Sequence, residues 1–287
     1  MSSGKNTPPS PWGGRLLPTT TAHQARLQLF QPTRHPKHLT REIQTPWGVA
    51  KVTGKLGQVH ALLLEAIFFH SLKKRESEDG RLQVLIDPYS LRRTLSTAEG
   101  GVYSLDGVKA LLRDLRAAAI EINIPRLGES GLVLGGLLDE VAPSPATVSN
   151  PMNGEVRHLW KITLSKLLTQ MLRADLPLHY NPALLASFKT GVGAAVARWV
   201  LTHRDAPVGG WKIDTILTAV GADTSGAKGR QRRHEIRQDT AALAAVGIII
   251  QNNRISKEGV VPTPGGVVPT PGALSGRQGA LSGRQGL

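Results

Sequence analysis

The chain has 287 residues, 40% of them apolar, enough for one large domain or two small ones. It carries 35 Lys plus Arg against 21 Asp plus Glu, a formal charge of +14, which calls for a polyanionic partner: nucleic acid first, an anionic membrane second. Zero cysteines exclude disulfides, cysteine-ligated zinc, iron–sulfur clusters and thiol catalysis.

No stretch reaches the roughly 18–20 continuous apolar residues of a spanning helix. The opening residues MSSGKNTPPSPWGG lack the apolar core of a signal peptide. The expectation is a cytoplasmic protein with no membrane contact. Residues 1–45, rich in Pro, Thr and Gln without sustained periodicity, read as a flexible arm. Next, Gly57 to Leu72 has apolar residues on one helical face, Val59, Leu62, Leu63, Ala66 and Phe69 among them. The run LQVLID at 82–87 reads as a strand, Tyr89 to Leu95 as a short helix, and Ser104 as the cap of a helix from Leu105 to Ala118. IEINI at 120–124 then reads as a strand.

A similar order returns in the second half. Gly191–His203 predicts a helix, Trp211–Asp214 a short strand or turn, Thr215–Val220 a small helix, Ala227–Val246 a longer one, and GIIIQN a strand. The spacing agrees too, with Ile86 lying 34 residues before Ile120 and Ile213 lying 35 before Ile248. The expected fold class is therefore α+β, mainly helical, as two tandem winged-helix domains at 46–150 and 151–256. From 257 to 287 the chain ends in a repeat tail, GVVPTPG twice and ALSGRQG twice, whose Pro and Gly disfavour helix and central strand and predict disorder.

The two longer helices invite comparison. In the first, Leu105, Val108, Leu112, Leu115 and Ala119 form an apolar stripe, and Lys109, Arg113 and Arg116 form a basic line off it. In the second, Arg230, Arg233 and Arg237 share an outer face with Gln231, His234 and Gln238, while Glu235 and Asp239 are expected to point away. A helix of this kind fits the DNA major groove, where Arg pairs bidentately with guanine and Gln with adenine. Lys228 and its flanking glycines are expected to approach phosphate, and Asn252 and Arg254, beside Asn253, to touch the backbone or minor groove after the last strand. The competing reading for each face is an ordinary solvated surface.

Catalytic patterns are missing. GADTSGAKG at 221–229 resembles a phosphate-binding loop, but Ala227 precedes Lys228 and Gly229 stands where a magnesium-binding hydroxyl is needed. The nine histidines show no H-E-x-x-H or H-x-H spacing for metal. No enzyme activity, metal or cofactor is expected.

On the segments VLIDPYSLRRTLS, LDGVKALLRDLRAAAIEI, LWKITLSKLLTQML, RWVLTHRDAP, WKIDTILTAVGAD and RQRRHEIRQDTAALAAVGI, the chain resembles plasmid replication initiators of the TrfA type over roughly residues 45–255. The resemblance implies binding to double-stranded origin DNA with direct repeats (iterons), opening of the origin, and recruitment of the host replicative helicase. It also implies a homodimer through the first domain, copy control by self-repression, and a bacterial, plasmid-encoded protein of the cytoplasm. The alternative is a transcriptional regulator or autorepressor without a replication role; a protein coating DNA without sequence preference is third. In the arm, RLQLF at 26–30 is similar to the pentapeptide by which replication proteins dock on the sliding clamp, with Leu27, Leu29 and Phe30 as the apolar anchors and Arg26 in place of the usual glutamine.

Overall fold

A computed structural model describes residues 17–46, 48–96, 102–123, 132–149 and 153–257. The expected tail lies outside these residues apart from Lys257, and so does the arm up to residue 16.

The arm's remainder is built into the fold. Thr20–Thr21 (β1) pairs antiparallel with a distant strand, and Thr21 caps the helix Ala22–Arg26 (α1) by accepting from the Gln24 amide at 3.3 Å. Two seven-residue strands follow, Leu39–Thr45 (β2) and Gly48–Gly54 (β3). The helix Gln58–Phe69 (α2) is apolar almost all round and buried over nearly its whole length, as a central helix must be. Lys73–Glu76 (β4) and Leu82–Ile86 (β5) form a hairpin. Asp87 and Pro88 then start the helix Pro88–Leu95 (α3), the Asp87 carboxylate accepting from the Tyr89 amide at 3.0 Å. Ser104 caps Leu105–Ala117 (α4) as its sequence predicts, and Val108, Leu112 and Leu115 are buried.

Strands dominate the middle of the chain: Ala119–Asn123 (β6), Leu132–Gly135 (β7), Leu138–Ser149 (β8) and Val156–Leu164 (β9). Helix Lys166–Ala174 (α5), strand Pro177–Leu178 (β10) and helix Ala183–Ala186 (α6) lead to Gly191–Leu201 (α7), the second central helix. Trp211–Lys212 (β11), Ile213–Ala219 (α8), Gly226–Gln238 (α9), Thr240–Ala245 (α10), Ile248–Gln251 (β12) and Arg254–Lys257 (β13) complete the described residues.

Sheet topology overturns the expected fold class. Among the described residues the strands form four antiparallel sheets, ordered β2-β3-β6-β7, β4-β5-β9-β8, β11-β13-β12 and β1-β10. The chain is α+β, but it is not mainly helical, and it is not two tandem winged-helix domains. Two four-stranded sheets occupy the first part and one three-stranded sheet the last, so the apparent duplication does not extend beyond the order of a few elements. The boundary expected at 150/151 falls inside the β8–β9 hairpin, whose strands pair from Leu138↔Leu164 to Ser149↔Val156. β9 also pairs with β5, with Val84 opposite Ile162.

One continuous apolar core runs through both halves, from Leu27 and Leu63 to Val196 and Ile248. Within it lies an ion pair. Glu65 of α2 and Arg198 of α7 are 1% and 5% exposed, and they pair bidentately, Nε to Oε1 at 2.7 Å and Nη2 to Oε2 at 2.8 Å. Arg198 Nη1 donates to Gln58 Oε1 at 2.7 Å, and the Tyr180 hydroxyl donates to Glu65 Oε1 at 2.6 Å. Burial and the Glu65 charge both push the Tyr180 hydroxyl's pKa well up. Burial alone disfavours charge on Arg198, but the facing carboxylate outweighs it and raises its pKa.

Burial favours the neutral form of several histidines. His60 is buried, with Nδ1 accepting from the Gly57 amide at 3.2 Å, which leaves Nε2–H to donate to Asp114 at 3.2 Å. His70 Nε2 lies 2.7 Å from the Thr94 hydroxyl, which donates onward to the Ser90 carbonyl at 3.1 Å, so His70 is the donor. Burial lowers the pKa of His60, His70, His179 and His203 below the ordinary 6.5. The unfolded chain therefore binds more protons just below that value, and stability is full above about pH 6.5 and declines as the pH falls through the folded values. Urea midpoints measured from about pH 7 to pH 5 are expected to fall steadily. A flat profile over that window would show that these rings are not buried.

Candidate nucleic-acid interface

Helix α9 begins after Ser225, whose amide and hydroxyl both donate to Asp223 Oδ1, at 2.9 and 2.6 Å. Gly229 faces inward: a Cβ there would collide with the Thr224 backbone, so this glycine permits close packing against the incoming loop. That corrects its expected part in a phosphate approach. Ile236 is the other buried residue of α9. With these two setting the inner face, Lys228, Arg230, Gln231, His234, Arg237 and Gln238 are exposed along the outer side.

The helix expected to run to Val246 instead breaks at Asp239. This carboxylate is buried and accepts from the Lys189 amide at 2.7 Å, the Thr190 amide at 3.0 Å and the Thr190 hydroxyl at 2.5 Å. It thereby ties the end of α9 to the start of α7. A side chain at Gly193, in the first turn of α7, would sit on this carboxylate. Asp239 does point away from the outer face, as its sequence position suggests. Glu235 does not leave that face alone: it accepts from Gln231 at 3.2 Å and from Arg232 at 2.7 Å. Gln231 is thus partly committed within the helix.

The three arginines expected to share one face divide into two settings. Arg230 and Arg237 are exposed, and Arg237 Nη2 donates to Asn253 Oδ1 at 2.7 Å. Arg233 lies on the flank next to α8, pairing with Asp214 through Nε at 2.7 Å and Nη2 at 2.9 Å. Further hydrogen bonding joins Gln238 to His234 at 3.1 Å, and Lys228 stands 3.7 Å from Asp223.

Strands β12 and β13 are joined by the two-residue turn Asn252-Asn253, both residues at positive φ (48° and 58°), with Gln251 opposite Arg254. Asn tolerates this left-handed conformation, which matches the twist of a hairpin. Asn252 is exposed at the tip, while Asn253 meets Arg237. Arg254 turns back, donating to the carbonyls of Gly209 and Gly210 at 3.1 and 3.0 Å. It braces the 204–210 loop while lining, with Arg204, Asn252 and Lys257, a cleft of about 520 Å³. The Arg237–Asn253 contact joins the α9 face, with exposed Arg230 and Arg237, to the turn as one surface.

The basic line of α4 is more constrained. Lys109 pairs with Asp106 at 3.0 Å, and Arg116 Nε donates to the Asp139 carbonyl of β8 at 3.0 Å. Arg113 is exposed. Acidic Asp114 also stands on this helix, 3.2 Å from His60 and 4.0 Å from Lys55. The face is mixed rather than uniformly basic.

The RLQLF segment is not a docking strand in this fold. Leu27 and Leu29 are 0% exposed and Phe30 is 6% exposed. Arg26 is bound to Thr202 through Nε and Nη2, both at 2.8 Å. Arg41 donates to the carbonyls of Gln28 and Leu29 at 2.7 and 2.6 Å. Sequence reasoning missed Asp214, whose pairing with Arg233 carries no local signal, and Arg232, which pairs with Glu235 within the helix, whereas Asn253 was placed with Asn252 after the last strand. Among the described residues no helix is long and apolar enough to cross a membrane. No protein-family model, no curated protein and no solved structure matches this chain.

Proposed function

We propose that the chain binds double-stranded DNA through the outer face of α9 and the β12–β13 turn, and that it serves as a plasmid replication initiator acting on repeated origin sites. The observation carrying the DNA-binding half is the joined surface itself. Arg230, His234, Arg237 and Gln238 stand exposed on one helix, and Arg237 is hydrogen-bonded at 2.7 Å to the adjacent turn. A helix presenting Arg and Gln fits the width of the major groove, and a hairpin turn beside it reaches the neighbouring backbone. A formal charge of +14 supplies long-range attraction to the duplex. The initiator half rests on the resemblance of the quoted segments to TrfA-type proteins.

Direct repeats taken from the DNA flanking the gene, and scrambled duplexes of the same length, form the test. Wild-type protein is expected to prefer the repeats at matched salt near 150 mM, a concentration at which nonspecific phosphate contacts are weakened. Arg230→Ala and Arg237→Ala should each cost about 1–3 kcal/mol of binding to the repeats. Equal affinity for repeat and scrambled DNA would sink the sequence-specific reading. Retained binding with no ability of the gene and flanking repeats to sustain an origin-less plasmid would leave a regulator.

A further inference from the structure

The Arg233–Asp214 pair differs from the other charge contacts of α9. Arg232–Glu235 lies within one helix, and Lys228–Asp223 is a loose 3.7 Å contact with the preceding loop. Arg233–Asp214 joins two helices through both carboxylate oxygens. The pair is far from buried, at 30% and 53% side-chain exposure, so it adds little to stability in water. What it does impose is geometry. Asp214 occupies the Nε and Nη2 side of the guanidinium, and the second Nη2 proton has the Thr224 carbonyl 3.4 Å away. Among the described residues no hydrogen bond is made by Nη1, and the Nη2 proton of the end-on edge is held only by the long Thr224 contact. The guanidinium plane is thus fixed on the flank of the candidate reading helix, while that edge can pass to a closer acceptor.

Such a pair favours bases over phosphates. The carboxylate neutralises the arginine as seen by an approaching anion, which weakens its pull on phosphate. Once guanine displaces the 3.4 Å contact to the Thr224 carbonyl, the end-on edge offers two parallel donors matching O6 and N7, both uncharged acceptors. Fixing the plane beforehand removes the rotamer entropy that a free arginine loses on docking.

Resting on the DNA-binding reading above, we propose that Asp214 is a positioning residue that holds Arg233 to read one guanine in the major groove. The experiment starts from a randomised duplex library enriched by the wild-type protein, followed by binding of every single-base variant of the enriched sequence. In Asp214→Asn, preference at one base pair should shrink by about 5- to 100-fold, the discrimination a bidentate contact supplies. Affinity for unrelated duplex should hold or rise, and preferences elsewhere should stay. Asp214→Glu should restore part of the lost preference. The double variant with Arg233→Ala should discriminate no worse than Arg233→Ala alone. A uniform loss at all positions, or unchanged discrimination in Asp214→Asn, overturns the positioning role while leaving DNA binding in place. If the wild-type protein enriches no sequence at all, the DNA-reading proposal falls and the positioning role falls with it.

Discussion

Arg198→Met is expected to destabilise the fold by about 3–5 kcal/mol, because it leaves the Glu65 carboxylate buried with no cation to face it. The two side chains sit on α2 and α7, each central to its half, and their bidentate contact also orders Gln58 and Tyr180. Removing the arginine strips Glu65 of two charge-assisted donors and leaves, among the described residues, the Tyr180 hydroxyl. Urea unfolding should show a lower midpoint with an unchanged slope, since the surface exposed on unfolding is the same. The double variant Glu65→Met with Arg198→Met is the informative control. Removing both charges together should recover a large part of the loss, since paired burial is costly before it is favourable. A single variant losing less than about 1 kcal/mol would mean that water reaches the pair and that it behaves as a surface contact.

The second large effect concerns RLQLF. Leu29→Ala should cost about 2–5 kcal/mol, the range for emptying a leucine-sized space in a packed core. A clamp-docking role for the segment makes the opposite demand, since Leu27, Leu29 and Phe30 would have to leave the core to be read. A free peptide spanning the pentapeptide and the folded chain can be compared on immobilised bacterial sliding clamp. The peptide alone is expected to bind. If the folded chain binds as tightly as the peptide, the segment exchanges out of the core and its burial is not its working state.

The elements with strong periodicity and clear caps were legible. Ser104 and the Val108–Leu112–Leu115 stripe place α4, and Gly57 to Leu72 brackets α2. The strands were harder, which is why a mainly helical chain was expected. GVAKVTG buries alternate residues and LTREIQT only Ile43, with charge mixed into both, while β8 carries Pro143 and Pro145 within an edge strand. Edge strands tolerate proline, so its presence misleads a local reading. The segment RHLWKITL has nothing local to reveal that it pairs with strands on both sides; that is fixed by partners about 80 residues upstream, such as Ile162 against Val84. On the candidate interface, exposure of Arg230 and Arg237 followed from their shared helical face, whereas the inward place of Gly229 against Thr224 did not. The capture of Arg233 by Asp214 did not, because it depends on how α8 crosses α9. Burial of RLQLF also depended on distant residues, Arg41 and Thr202 among them.

The way that N-terminal segment is anchored has a consequence for how the protein is made. Thr19 bonds to Tyr180, His23 to Asp175, Arg26 to Thr202 and Gln28 to Ala219, across sequence gaps of 152 to 191 residues. Gln31 and Phe30 meanwhile face Leu56 and Gln58 of the first half. On a ribosome adding about 5–20 residues each second, the segment waits roughly 10–40 s for its later partners to emerge. During that interval Leu27, Leu29 and Phe30 have no completed core to enter. This apolar segment is thus synthesised well before the partners that seal it, and it needs protection on the nascent chain until they emerge.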